Sequence, residues 1–408
     1  MNGINAKSRA QLASTIGLCF LVALMEGLDL QASGIAAQGM AAAFGLDKMH
    51  MGWVFSAGIL GLLPGAFVGG WLADRIGRKR VLMGSVALFG VFSLVTAMAW
   101  GFNSLVVARC LTGVGLGAAL PNLIALTSEA AGPRLRATAV SMMYCGVPLG
   151  AALAATIGIV GFSGGWQVVF YVGGLVPLVI VPLLGRHLSE SAQFRDRLSQ
   201  PGPQPGETNI SVWQGLFCNG SSTATLLLWL SYFFTLMVVY ILINWLPSLL
   251  VGQGFTGRQA SWVMFALQIG AMVGTLLLGV LMDRLPAWAL AGLIYLGILG
   301  SLTALGMAGQ IESMLLAGFA AGFFATGGQC VLYALAPQFY RTEIRATGVG
   351  SAVAVGRLGA MSGPLVAGQM LALGTGTTGV MMASAPGIVI AALAMFWLSV
   401  RRKKLLPD

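Results

Sequence analysis

Gly70-Trp71-Leu72-Ala73-Asp74-Arg75-Ile76-Gly77-Arg78-Lys79-Arg80 sets one acid and four bases between two long apolar runs, and its core returns as Gly279-Val280-Leu281-Met282-Asp283-Arg284. The two copies stand 209 residues apart. The same offset aligns Trp53 with Trp262, Gly61 with Gly270, Gly65 with Gly274, Arg136-Ala137-Thr138 with Arg345-Ala346-Thr347, and Gly150 with Gly359. One offset held across so much of the chain marks an internal duplication, each copy running in the same direction.

What is duplicated is strongly apolar. Of 408 residues, 57% are hydrophobic and 8% charged, where a soluble chain carries about a quarter charged. Apolar runs of about 20 residues, enough to cross ~30 Å of hydrocarbon, lie near 13–35, 51–73, 82–100, 103–127, 137–161, 167–185, 223–246, 260–282, 288–308, 312–335, 346–371 and 378–400. The first has basic residues ahead of it, like a secretory signal, but two acids interrupt it and eleven runs follow, so it reads as a retained helix. The expected fold is an all-α integral membrane protein of twelve helices in two pseudo-symmetric six-helix bundles, 1–188 and 223–408. A polar linker, 189–222, joins them and contains Gly202-Pro203-Gln204-Pro205-Gly206.

Charge sets the orientation. With the N-terminus cytoplasmic, eighteen of the 22 Lys and Arg fall in cytoplasmic segments, Lys48 and Arg258 outside, and Arg109 and Arg357 within spans. Both termini are expected inside. The net charge of +10 is then a topology signal and needs no nucleic-acid partner. Cys19, Cys110, Cys145, Cys218 and Cys330 are scattered without disulfide or metal spacing. Nothing in the motifs suggests a nucleophile triad or a metal cluster, so an enzyme is disfavoured.

The charges inside the spans carry the functional argument. Glu26 and Asp29 interrupt the first run, Arg109 lies in the fourth and Arg357 in the eleventh. None repeats: the 209 offset gives Thr235, Val238, Gly318 and Pro148 at the matching positions. Groups that are costly in lipid and absent from the other copy suit cargo and coupling ion better than scaffold. Glu26 and Asp29, at i and i+3, share a helix face. Two acids so placed cannot both ionise cheaply, so the pair is suited to carrying a proton. The alternative for Asp29 is neutralisation by Arg109, and Arg109 itself is open between coupling and packing electrostatics. The Arg357 guanidinium matches a carboxylate bidentately, which suggests an organic anion as cargo; its alternative is an ion pair with an acid of the first helix. Tyr144, Tyr232, Tyr240, Asn244, Gln268, Gln329 and Tyr333 offer stacking and hydrogen bonding, or else interhelical contacts.

The segment 70–80 resembles the G-x-x-x-D-R-x-G-R-K signature of the major facilitator superfamily. Arg109 followed by Gly113, Gly115 and Gly117 resembles its fourth-helix motif. Glu26-Gly27-Leu28-Asp29 is similar to the D-G-x-D element of the superfamily's aromatic acid:proton symporters, with Glu for the first Asp, and the likeness extends over 25–31, 51–64, 113–133 and 345–364. Many relatives carry Pro before the Glu of Leu188-Ser189-Glu190-Ser191; here Ser189 stands there.

The resemblance implies a multi-pass transporter of the bacterial inner membrane that imports an aromatic carboxylate, 3-(3-hydroxyphenyl)propionate above all, with protons and no cofactor, as a monomer among membrane lipids. Related cargoes, a hydroxybenzoate or cinnamate, and a metabolite exporter of the same fold are the alternatives. Proton coupling then falls to Glu26, Asp29 and Arg109. Substrate binding falls to Arg357, Tyr144, Asn244, Gln268, Gln329 and Tyr333. A cytoplasmic gate is expected from Gly70, Asp74, Arg75, Gly77, Arg78, Lys79, Glu129, Arg136, Asp283 and Arg345.

Overall fold

A computed structural model describes residues 6–161, 164–191, 194, 217, 222–340 and 345–405, with backbone alone at 6–11, 132–134, 137, 283, 345–346 and 401–405. Among the described residues the regular structure is helical throughout. Twelve helices are long and apolar enough to cross a membrane. Such helices are what lipid allows, because each backbone N–H and C=O is bonded within its own segment.

The first six spans come from α1 (Ala6–Phe44), α2 (Lys48–Ile76), α3 (Arg78–Ala97), α4 (Phe102–Tyr144), α5 (Gly146–Val160) and α6 (Val168–His187). The second six come from α7 (Ser222–Gly252), α8 (Gly257–Arg284), α9 (Ala287–Met307), α10, α11 (Arg345–Ala372) and α12 (Gly376–Leu405). In α10, Ile311–Ala321 passes through a π-helical segment, Gly322–Thr326, into Gly327–Leu335. The fourth and fifth spans are continuous in backbone: α4 stays helical through Glu129 and Arg136 and breaks only at Cys145. Charged residues there mark where a helix leaves the apolar region, not where its hydrogen bonding stops.

The chain forms two compact units, 1–46 with 57–205 and 47–56 with 206–408. The first turns of α2 thus group with the second unit, where Phe55 meets Trp245 edge-on at a centroid distance of 5.2 Å. Of the linker read at 189–222, all but 189–191, 194, 217 and 222 lies outside the described residues.

The duplication is physical as well as textual. A Cβ built on Gly61 or Gly65 would collide with the Cys110 or Val114 carbonyl, and one on Gly270 or Gly274 with the Phe319 or Phe323 carbonyl. Both members of each pair obey the 209 offset. Gly150 against Leu24 and Gly359 against Phe233 repeat the pattern between α1 and α5, and between α7 and α11. Small residues therefore set the same backbone approach in both units. Gly150→Ala and Gly359→Ala are expected to cost ~1–3 kcal/mol each, as overpacking does. Gly292, whose Cβ would meet nothing within 4 Å, should accept Ala without loss. Thermal unfolding of the detergent-solubilised protein checks the contrast.

Candidate functional site

In the first unit, Asp29 on α1 is wholly buried and Arg109 on α4 is 4% exposed. Arg109 Nη1 lies 3.1 Å from Asp29 Oδ1 and 3.0 Å from Oδ2, and Nη2 donates to the Asp29 carbonyl at 3.4 Å. Arg109 and Asp29 thus form a buried ion pair. Burial makes each charge dependent on the other, because removing one would strand its partner in a medium that solvates it poorly. Glu26, one turn earlier, is 5% exposed.

Two residues without a charge complete this group. Ser93 on α3, fully buried, places Oγ 3.2 Å from Asp29 Oδ1 and 3.2 Å from the Phe170 carbonyl of α6. The Phe170 ring also faces the Arg109 guanidinium, 5.5 Å from its centroid. Gly173, one turn further along α6, leaves room: its Cβ would lie 3.1 Å from Ser93 Oγ. Four helices thus converge on one buried ion pair.

The α2–α3 connection gathers part of the expected gate. Arg78 pairs with Glu129 of α4, whose Oε2 accepts the Ser191 hydroxyl at 2.6 Å. Lys79 donates its backbone N–H to Glu190 Oε1 at 3.0 Å and its ammonium to the Gly185 carbonyl at 2.8 Å. Gly77 adopts φ 101°, in the left-handed region, and a Cβ there would meet the Glu190 carboxylate. Ser191 Oγ accepts from the Phe194 N–H at 3.1 Å. Asp74, Arg75 and Arg136 are exposed, and the Arg75 guanidinium stacks 3.9 Å over the Trp71 ring. Gly70 has open space around it. The side chains of Asp283 and Arg345 lie outside the described residues. Glu190 and Ser191 were not among the expected gate residues.

The second unit holds the other arginine. Arg357 of α11, half-buried, donates from Nη1 to the Tyr240 hydroxyl of α7 at 2.8 Å. On α10, Gln329 Nε2 donates to the Tyr333 hydroxyl at 2.9 Å. Tyr232 of α7 borders both pairs, lying against Tyr333 and beside Gly356, the neighbour of Arg357, so α7, α10 and α11 present one polar cluster. The Tyr232 ring lies 5.4 Å from that of Tyr333 and turns its hydroxyl to the Leu332 carbonyl. Gly356 keeps α11 close to α7, its Cβ position being 3.2 Å from Tyr232. The π-helical segment just before Gln329 adds a residue to the helical phase there, a feature frequent at functional sites.

The remaining expected substrate contacts are Asn244, Gln268 and Tyr144. Asn244 is 4% exposed and donates to the Tyr240 carbonyl one turn back at 2.9 Å. Gln268 on α8 is 5% exposed. Tyr144 closes α4 in the first unit.

Comparison with known proteins places this architecture. The Major Facilitator Superfamily model matches residues 19–311 and 228–407. The chain belongs to the major facilitator superfamily. A relative described as the 3-(3-hydroxy-phenyl)propionate transporter of Escherichia coli (strain K12) is 68% identical over 98% of both chains. A gallate transporter of Pseudomonas putida is 36% identical over 88% of this chain and 85% of its own. The partially occluded inward-open xylose transporter of E. coli superposes with TM-score 0.78 at 17% identity, over 95% of this chain and 98% of that one. The superfamily chain described here is therefore a multi-pass membrane transporter and not an enzyme.

Proposed function

We propose that the protein imports 3-(3-hydroxyphenyl)propionate, or an aromatic carboxylate very close to it, together with protons across the bacterial inner membrane by alternating access. The observation that carries this reading is the 68% identity, over 98% of both chains, to a transporter described for that acid. The site supports it chemically. An aromatic carboxylate needs a cation and polar aromatic partners, which Arg357, Tyr240 and Tyr333 offer.

Proton coupling follows from the first unit. Protonating Asp29 would leave Arg109 buried without its carboxylate, a loss of roughly 3–5 kcal/mol. Glu26 is therefore the acid we assign to carry the proton, with Asp29 held by Arg109. Proton symport also makes uptake energetically feasible: bringing a monovalent anion against an inside-negative potential costs about 2.3 kcal/mol per 100 mV, one proton cancels that and two reverse it. The charge pairs around Arg78, Glu129 and Lys79 would serve the cytoplasmic gate, with both termini on that side.

The test is uptake of labelled 3-(3-hydroxyphenyl)propionate by cells expressing the protein, with unlabelled cinnamates and benzoates as competitors and a protonophore added in one arm. Saturable uptake that the protonophore abolishes, with strongest competition from phenylpropionates, is expected. Strongest competition from benzoates would shift the assignment toward the cargo class named for the 36% identical relatives.

A further inference from the structure

We propose that Gln329 and Tyr333 read the ring hydroxyl of the cargo, while Arg357 and Tyr240 take its carboxylate, so that the two polar ends of the substrate are told apart by hydrogen-bond type. This rests on reading the chain as a carrier of hydroxyarylpropionates.

Gln329 Nε2 donates to the Tyr333 hydroxyl at 2.9 Å, which occupies one donor of the amide and one acceptor site of the phenol. The amide oxygen and the tyrosine hydrogen then stand side by side, one acceptor and one donor. Turning the amide over exchanges their owners and leaves the same combination. A substrate hydroxyl both gives and receives a hydrogen bond, and so closes a ring of three bonds with this pair. A carboxylate has only acceptors and satisfies half of it.

The neighbouring pair has the opposite character. The guanidinium presents N–H groups alone, and Tyr240 accepts from Arg357 at 2.8 Å, so its own hydrogen points onward as a further donor. A donors-only pair suits a carboxylate and repels nothing in it. The other described tyrosines of this unit turn their hydroxyls to the protein: Tyr232 to the Leu332 carbonyl, Tyr295 to Thr235 and Tyr340 to Thr225. Gln329 and Tyr333 are half-buried rather than sealed, they sit one turn apart on one face of α10, and the Tyr333 ring lies against Tyr232, which borders Gly356 beside Arg357.

The test compares 3-(3-hydroxyphenyl)propionate with 3-phenylpropionate, which lacks only the hydroxyl, in initial-rate uptake by the full chain and by its Gln329→Leu and Tyr333→Phe variants. The parent protein is expected to prefer the hydroxylated acid by about tenfold in kcat/KM, since an unmet pair of buried polar groups is penalised when the hydroxyl is missing. Gln329→Leu should reduce that preference to within about twofold, read as the ratio of kcat/KM for the two acids, and Tyr333→Phe should give an intermediate value. Absence of the preference in the parent protein, or its full retention in both variants, contradicts the proposal. So does loss of 3-phenylpropionate uptake in both variants, which would make the pair part of the transport fold. Failure of the parent protein to carry either acid overturns instead the reading of the chain as an arylpropionate carrier.

Discussion

Glu26→Gln is expected to abolish concentrative uptake while sparing exchange of internal for external substrate. Gln keeps the size and polarity of the side chain but carries no titratable proton, and Glu26 is 5% exposed on the α1 face shared with Asp29. The Asp29–Arg109 pair at 3.0 Å stays intact in the variant, so the bundle should still fold and the empty-to-loaded transitions should still run. What is lost is the net movement of a proton in each cycle. One pH unit of gradient is worth about tenfold in accumulation per coupled proton, and that factor should fall to near unity. The measurement is the steady-state internal-to-external ratio in proteoliposomes under an imposed pH gradient, with counterflow as the control. Full proton-driven accumulation by the variant would remove Glu26 as the carrier.

Arg357→Gln is expected to raise KM for the aromatic acid by at least roughly 30-fold, and Tyr240→Phe by a smaller factor. Removing one partner of a buried, hydrogen-bonded charge contact costs about 2–5 kcal/mol, and the substrate carboxylate would have lost its cation. Tyr240→Phe removes only the hydroxyl that accepts from Arg357 at 2.8 Å, worth about 1 kcal/mol as a single hydrogen bond. Arg357→Lys should lie closer to Gln than to the parent, because an ammonium lacks the planar bidentate fork. Initial-rate kinetics separates these effects, and a variant series in which KM stays flat would place the carboxylate elsewhere.

How far the sequence was legible follows the physics of each contact. The helix count and the duplication were legible because lipid admits few backbone solutions, and because one glycine offset recurs wherever two helices touch, as with Gly61 on Cys110 and Gly270 on Phe319. The Asp29–Arg109 pair was legible because charges in apolar spans are few and demand partners. Ser93 and Phe170 were not, since a serine and a phenylalanine in an apolar span carry no signal until folding brings them to Asp29 and Arg109. The contacts of Glu190 and Ser191 were not legible for a related reason: their partners, Lys79 and Glu129, lie 111 and 62 residues away.

The central claim is that an aromatic carboxylate and a proton cross together. The direct measurement is proton entry into proteoliposomes holding the purified protein and a trapped pH-sensitive dye, on addition of 3-(3-hydroxyphenyl)propionate with the membrane potential clamped. The expected result is internal acidification that depends on the substrate, saturates with it and disappears in Glu26→Gln. Saturable substrate entry with no accompanying acidification would contradict it.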